Sequence, residues 1–208
     1  MTIEARLEEG LDAIGIVLDG SGRAKLVAYI HLIEKWNKVH NLTAVREPGR
    51  MVALHLLDSL SVLPHLGNAQ TILDVGTGAG LPGIPLAIAR PQLAVTLLDS
   101  SQKKATFLRQ AKAELALANI DIACERVEQW RPDRKFDVVV SRAFADLSDY
   151  VAQSRHLLAE DGSMLAMKGV HPFEEIARLP STHRLQGVIE LRIPQLDAQR
   201  HLVLLKAA

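Results

Sequence analysis

The stretch "TILDVGTGAGLPGIPLAI", residues 71–88, constrains the fold more than any other part of the chain. Thr71 to Val75 is a short apolar run, the pattern of a strand buried on both faces in a parallel sheet. Glycines at 76, 78 and 80 follow at once. Pro82 and Pro85 then mark a helix start, where a missing N–H costs little. A strand, a glycine turn and a helix are half of a βαβ unit, which needs further parallel strands. The sequence supplies them as "VTLLD" (95–99), "IDIAC" (120–124), "FDVVVS" (136–141) and "SMLAMKG" (163–169). Helices are expected over 81–90, over 101–117 with Ser100 or Ser101 as cap, and over 147–159. "QGVIELRIP" and "RHLVLLK" are separated only by "QLDAQ", too short for a crossover helix, so they should pair antiparallel. The expected fold is a doubly wound α/β sheet, mostly parallel and seven-stranded, closed by a C-terminal antiparallel hairpin.

The first third reads as helical. Ile3, Leu7, Leu11, Ile14 and Leu18 form one stripe, and "DGSG" breaks it with Ser21 offered as the next cap. Leu26, Ile30, Ile33 and Trp36 form a second stripe. "HNLTAVREPG" (40–49) reads as a structured loop, and a third helix over 50–63 carries "ALHLLDSL". The expected division is a helical extension over 1–66, packed on a domain over 67–208.

The glycines admit two registers. Gly76, Gly78 and Gly80 spell G-x-G-x-G, while Gly78, Gly80 and Gly83 spell the dinucleotide fingerprint G-x-G-x-x-G. In such sheets the first glycine follows its strand directly, and this strand ends at Val75. Gly76 therefore opens the working turn, and Gly83 becomes a packing residue. Asp74, at the strand tip, is expected beside the ligand. There it would repel a pyrophosphate and attract the ammonium and sulfonium of S-adenosylmethionine. Asp99, 23 positions after Gly76, is placed to accept from ribose hydroxyls. The competing enzyme reading is an NAD-linked oxidoreductase using the Gly78 register.

Lys and Arg together equal Asp and Glu at 24 each, which argues mildly against a dedicated binder of naked nucleic acid but allows a local basic patch. One cysteine, Cys124, allows no intrachain disulfide and no cysteine-cluster metal site, and its apolar strand suggests burial. His31 and His40 near Glu34 match no metal spacing, so no metal is expected. The N-terminus is not a signal peptide and no run of 18 apolar residues occurs, so the expectation is a cytoplasmic protein without a membrane partner.

"LDVGTGAGLPGIPLAI", "FDVVVSRAFA", "NLTAV" and "HLLDSL" together resemble the bacterial 16S ribosomal RNA guanine-N7 methyltransferases, a family once called glucose-inhibited division protein B. The resemblance runs from the second helix to "RHLVLLK". It implies the class I methyltransferase fold, S-adenosylmethionine as cofactor, and methyl transfer to N7 of guanine 527 in the 530 loop of 16S ribosomal RNA. The implied partner is that RNA, within the small ribosomal subunit or its precursor, met by a monomer. Implied cofactor contacts are Gly76 and Leu81 in the glycine turn with Gly78 between them, Val127 and Glu128 after the third strand, and Arg142 after the fourth.

Guanine N7 carries a free lone pair, so no general base is required and alignment is the main task. Arg142, in "SRAFA" (141–145), is expected to hold the cofactor carboxylate, an RNA phosphate or the guanine O6. Its competing role is a structural ion pair with a carboxylate such as Asp74. Phe144 is a candidate to stack on the target base, or a core residue. Lys168 ends the fifth strand and is the other catalytic and RNA-contacting candidate. Further phosphate candidates are Arg46, Arg50, Lys103, Lys104, Arg200 and His201. Trp36 and Trp130 read as packing residues. A non-catalytic, cofactor-binding ribosome-assembly module is the competing non-enzyme reading.

Overall fold

The structure, a computed structural model, describes residues 1–142, 144 and 146–208. Two helices open the chain, α1 (Ile3–Ala13) and α2 (Gly20–His40). Asp19 caps α2, its Oδ1 accepting from the Gly22 N–H at 2.6 Å. The expected cap, Ser21, lies inside the helix, because the carboxylate two residues earlier reaches the open N–H groups first. Next come α3 (Pro48–Met51), a π-helical stretch (Val52–Leu57) and α4 (Asp58–Leu60), where one α-helix was expected.

The α/β part follows: β1 (Thr71–Val75), α5 (Gly83–Ala89), β2 (Ala94–Leu98), α6 (Gln102–Glu114), β3 (Ile120–Ala123), β4 (Phe136–Ser141), α7 (Leu147–Ser154), β5 (Leu158–Lys168), α8 (Phe173–Ala177), β6 (His183–Glu190) and β7 (His201–Ala207). Ser101 is the cap of α6. The short helix α8 was not expected, and β5 starts five residues before the expected "SMLAMKG" run.

The seven strands lie in the order β3-β2-β1-β4-β5-β7-β6. Strands β1 to β5 pair in parallel, while β7 pairs antiparallel with β5 and β6, as the short "QLDAQ" link requires. The order reverses between β1 and β4. Ligands of such sheets bind outside the carboxyl ends of the strands at that point.

Alternation along each strand separates two cores. Leu73, Val75 and Val139 face the side carrying Tyr150 of α7. Ile72, Val138 and Val140 face the other side, where they join Leu26, Tyr29, Ile30 and Leu57 in one cluster. The N-terminal helices thus share a core with the sheet. Trp36 packs edge-on against Phe107, and Trp130 stacks on Phe136, as packing residues. Cys124 is half-buried rather than buried, because β3 is the edge strand. Among the described residues, no helix is long and apolar enough to cross a membrane.

Candidate functional site

The glycine turn leaves β1 at Val75. Gly76, Gly78 and Gly80 have φ of +67°, +61° and +91°, a region open to glycine and costly for other residues. Gly76 N donates to Leu98 O at 2.9 Å, and Gly78 N donates to Asp99 Oδ2 at 3.0 Å. The turn is therefore tied to the neighbouring strand by backbone and by one carboxylate. Gly83 sits behind it. A Cβ there would lie 2.9 Å from Asp74 Oδ2 and collide with Leu97, so its role is close packing.

Asp74 does not face the ligand side. It is wholly buried, and Oδ2 accepts from Thr77 Oγ1 at 2.5 Å and from Gly83 N at 2.8 Å. Burial pushes its pKa up to about 6, against the pull of those two hydrogen bonds. Asp74 alternates with Leu73 and Val75 and so points beneath α5; it pins the turn to the helix. Leu81 also turns inward. Its side chain is buried in the core and its N–H donates to Thr77 O at 3.0 Å.

A cavity of about 420 Å³ opens beyond the ends of β1, β2 and β3. Gly76, Asp99, Val127, Glu128 and Phe144 all line it. Asp99 is 6% exposed; it accepts from Ser101 N at 2.9 Å and pairs with Lys104 Nζ at 3.2 Å. Three carboxylates (Asp99, Glu125, Glu128) face two cations (Lys104, Arg126) across this space. That leaves one net negative charge, which suits a cationic nucleoside and opposes a pyrophosphate. The residues present therefore fit S-adenosylmethionine. Phe144 leans on Tyr150 at 5.2 Å between ring centres in the wall of this cavity.

A second cavity, about 380 Å³, lies beyond β4 and β5 and is walled by the helical third. Arg142, Lys168 and Arg200 line it together with Leu54, His55 and Asp58. Asp58 is 2% exposed and accepts from both arginines, Arg142 Nη1 to Oδ2 and Arg200 Nε to Oδ1, each at 3.2 Å. Burial raises its pKa, while the two guanidinium charges oppose that rise. Both guanidinium groups, at hydrogen-bond distance, favour its ionised form. Arg142 thus has an ion pair of the kind weighed as its competing role, but with Asp58 instead of Asp74. It lines this cavity and not the first, so the structure separates it from the other implied cofactor contacts.

Burial, with Arg142 alongside, holds the His55 pKa down to about 4. The neutral ring shares a hydrogen bond of 3.0 Å with Thr43 Oγ1. Thr43 belongs to the "NLTAV" loop, which is folded around Asn37. The Asn37 amide donates to Thr43 O at 2.9 Å and Val45 O at 3.1 Å, and accepts from Thr43 N at 3.0 Å.

Lys168 pairs with Glu175 at 2.7 Å and donates to Phe144 O at 3.1 Å. Its charge is matched by Glu175, although the side chain still lines the second cavity. Arg46 is exposed; its Nη2 donates to Asn41 Oδ1 at 2.8 Å, one residue from the cavity-lining Val45. His201 is half-buried, with Nδ1 2.9 Å from Gly169 O at the rim of the same cavity. Lys104 lines the first cavity, paired with Asp99. Ala143 and Ala145 of "SRAFA" lie outside the described residues. Sequence reasoning missed Asp58, His55 and Tyr29, whose hydroxyl donates to Ala79 O inside the glycine turn.

Residues 23–203 match the family model described as rRNA small subunit methyltransferase G. The chain is 54% identical to the ribosomal RNA small subunit methyltransferase G of Laribacter hongkongensis, covering 98% of each chain. It is 50% identical to the Nitrosospira multiformis protein of the same name, over 100% of this chain and 99% of that one. Among solved structures, the O-methyltransferase TomG from Streptomyces achromogenes, in complex with SAM, aligns over 100% of this chain and 99% of its own at TM-score 0.58 and 17% identity. A ribosomal protein L11 methylase from Lactobacillus delbrueckii subsp. bulgaricus aligns over 73% and 77% at TM-score 0.56 and 20% identity. These likenesses show the class I methyltransferase fold. The glycine register, the paired cavities and the match over most of the length lead to one conclusion: the chain belongs to the rRNA small subunit methyltransferase G family.

Proposed function

We propose that this enzyme transfers a methyl group from S-adenosylmethionine to N7 of a guanine in the 530 loop of 16S ribosomal RNA, at position 527. The observation that carries the reading is the meeting of two cavities of opposite charge at the switch point of the sheet. The acidic one suits the cofactor and the basic one suits a nucleotide of the RNA. Their walls meet where Lys168 Nζ, in the second, donates to the backbone oxygen of Phe144, in the first.

S-adenosylmethionine supplies a methyl group already activated by a sulfonium. Gly76, Asp99, Val127 and Glu128, which line the first cavity, would hold it: the first by allowing close backbone approach, Asp99 as an acceptor for ribose hydroxyls, Glu128 as an acceptor for the adenine amino group. Arg142 and Arg200 then bring the RNA to the mouth between β1 and β4. Because N7 needs no deprotonation, the protein's work is orientation, a contribution of roughly 7–11 kcal/mol in well-aligned reactions. The target must be unpaired, since a duplex hides N7 in its deep groove. We place the reaction in the cytoplasm on the small subunit or its precursor, carried out by a monomer.

The test is to map methylated guanines after purified protein has acted on small subunits from a strain lacking the enzyme. Label at N7 of one loop guanine is expected. Label elsewhere, or none, overturns the assignment.

A further inference from the structure

We propose that Asp58 is a positioning residue that holds Arg142 and Arg200 as one clamp, and that the clamp takes a single phosphodiester group of the RNA strand beside the target base. The proposal rests on the reading of the second cavity as the RNA side of the site.

The three residues come from distant parts of the chain: Asp58 starts α4, Arg142 follows β4, and Arg200 precedes β7. Only the buried carboxylate joins the two guanidinium groups, with one oxygen for each at 3.2 Å. Arg142 Nη1 also donates to Leu54 O at 3.1 Å, and Arg200 Nη1 to Gln199 O at 2.8 Å. Arg142 Nε and Nη2 and Arg200 Nη2 have no partner among the described residues. The side chains are 28% and 23% exposed, so each is held by one edge and keeps donors at the cavity.

Two guanidinium charges against one carboxylate leave one positive charge, the complement of a phosphodiester. Lys168 adds none, being matched by Glu175. Guanidinium forks suit phosphate oxygens better than a lysine does. A carboxylate inside a phosphate site is otherwise repulsive, and it is useful there only if it aims the arginines.

That contrast supplies the test. Removing a negative charge from a basic cavity should tighten RNA binding if charge alone matters. The clamp demands the reverse. Binding of a 530-loop RNA fragment is measured by fluorescence titration, and binding of S-adenosylhomocysteine by calorimetry. Asp58→Asn is expected to weaken RNA binding about tenfold and to raise KM for RNA more than it lowers kcat, with the cofactor-side affinity unchanged. The double variant Asp58→Asn/Arg200→Ala should bind RNA within about twofold of Arg200→Ala alone, since both break one device. Equal or tighter RNA binding by Asp58→Asn, or losses that simply multiply, overturns the clamp. Should Asp58→Asn unfold the protein, Arg200→Lys takes its place: it keeps the charge and loses the fork, and unchanged RNA affinity overturns the proposal. Methyl transfer by the unaltered enzyme judges the function separately from this coupling.

Discussion

The two cavities at the carboxyl end of the sheet have similar volumes, about 420 and 380 Å³, but different builders and opposite charge. The first is made by the ends of β1, β2 and β3 and the loops that follow them, together with Phe144 and Gln153. The second needs Val45, Leu54, His55 and Asp58 from the helical third as well as the tips of β4 and β5. The first cavity is therefore built by the class I fold itself, which the chain shares with solved structures of 17–20% identity. The second cavity cannot be built without side chains of the helical third, and fold likeness alone does not disclose what it binds.

The largest effect that bears on this division is expected from Arg142→Ala. Methyl transfer should fall about a hundredfold or more, the scale on which misplacement costs rate. S-adenosylhomocysteine binding, measured by calorimetry, should stay within about threefold. A parallel loss of cofactor affinity would merge the two cavities into one. Asp99→Asn makes the opposite cut. It should weaken cofactor binding by about tenfold, the worth of one charge-assisted hydrogen bond, and leave RNA affinity intact. Loss of RNA binding in that variant would break the comparison.

Salt divides the cavities next. Between about 50 and 200 mM, two or three phosphate contacts on single-stranded RNA cost about tenfold in affinity, while cofactor binding should change by less than about twofold. Equal salt dependence would refute the assignment of opposite charge to separate ligands.

The smallest effect lies in stability. Burial holds Asp74 near pKa 6 against an ordinary 3.8, so its contribution is full below about 3.8 and is lost as pH rises through 6. His55, held near 4 against 6.5, contributes fully above about 6.5 and loses its share as pH falls through 4. The two slopes oppose each other in one window, one from behind the glycine turn and one from the wall of the second cavity. Asp74→Asn should make Tm rise more steeply with pH between 4 and 6.5, and His55→Gln should flatten that rise or invert it. Superimposable profiles for the variants and the parent would remove both groups from the account.

The sheet was legible in the sequence because its signals are local. A short apolar run, a glycine turn and a proline at the helix start sit within 15 residues, and "QLDAQ" leaves the last two strands no geometry but a hairpin. Gly76 was found by asking where β1 ends. Asp74 was misplaced by attending to its height on the strand and not to its side. Its alternation with Leu73 and Val75, readable in the same five letters, already aimed it away from their face. Asp58 carried a fainter signal, one carboxylate in the apolar "ALHLLDSL". The pattern announces a buried acid but does not name its partners, which lie 84 and 142 residues further along the chain. Lys168 shows the same limit, since its neutralisation by Glu175 depends on α8, a helix too short to be read from periodicity.

Tyr29 adds a constraint on how such an enzyme can change. Its hydroxyl, carried by α2, reaches Ala79 in the middle of the glycine turn, 50 residues away. The helical third is thus no detachable cassette: exchanging it for another target-reading module would also withdraw a strut from the cofactor turn. New specificity on this scaffold is expected to arise by altering side chains along the second cavity, with α2 kept in place.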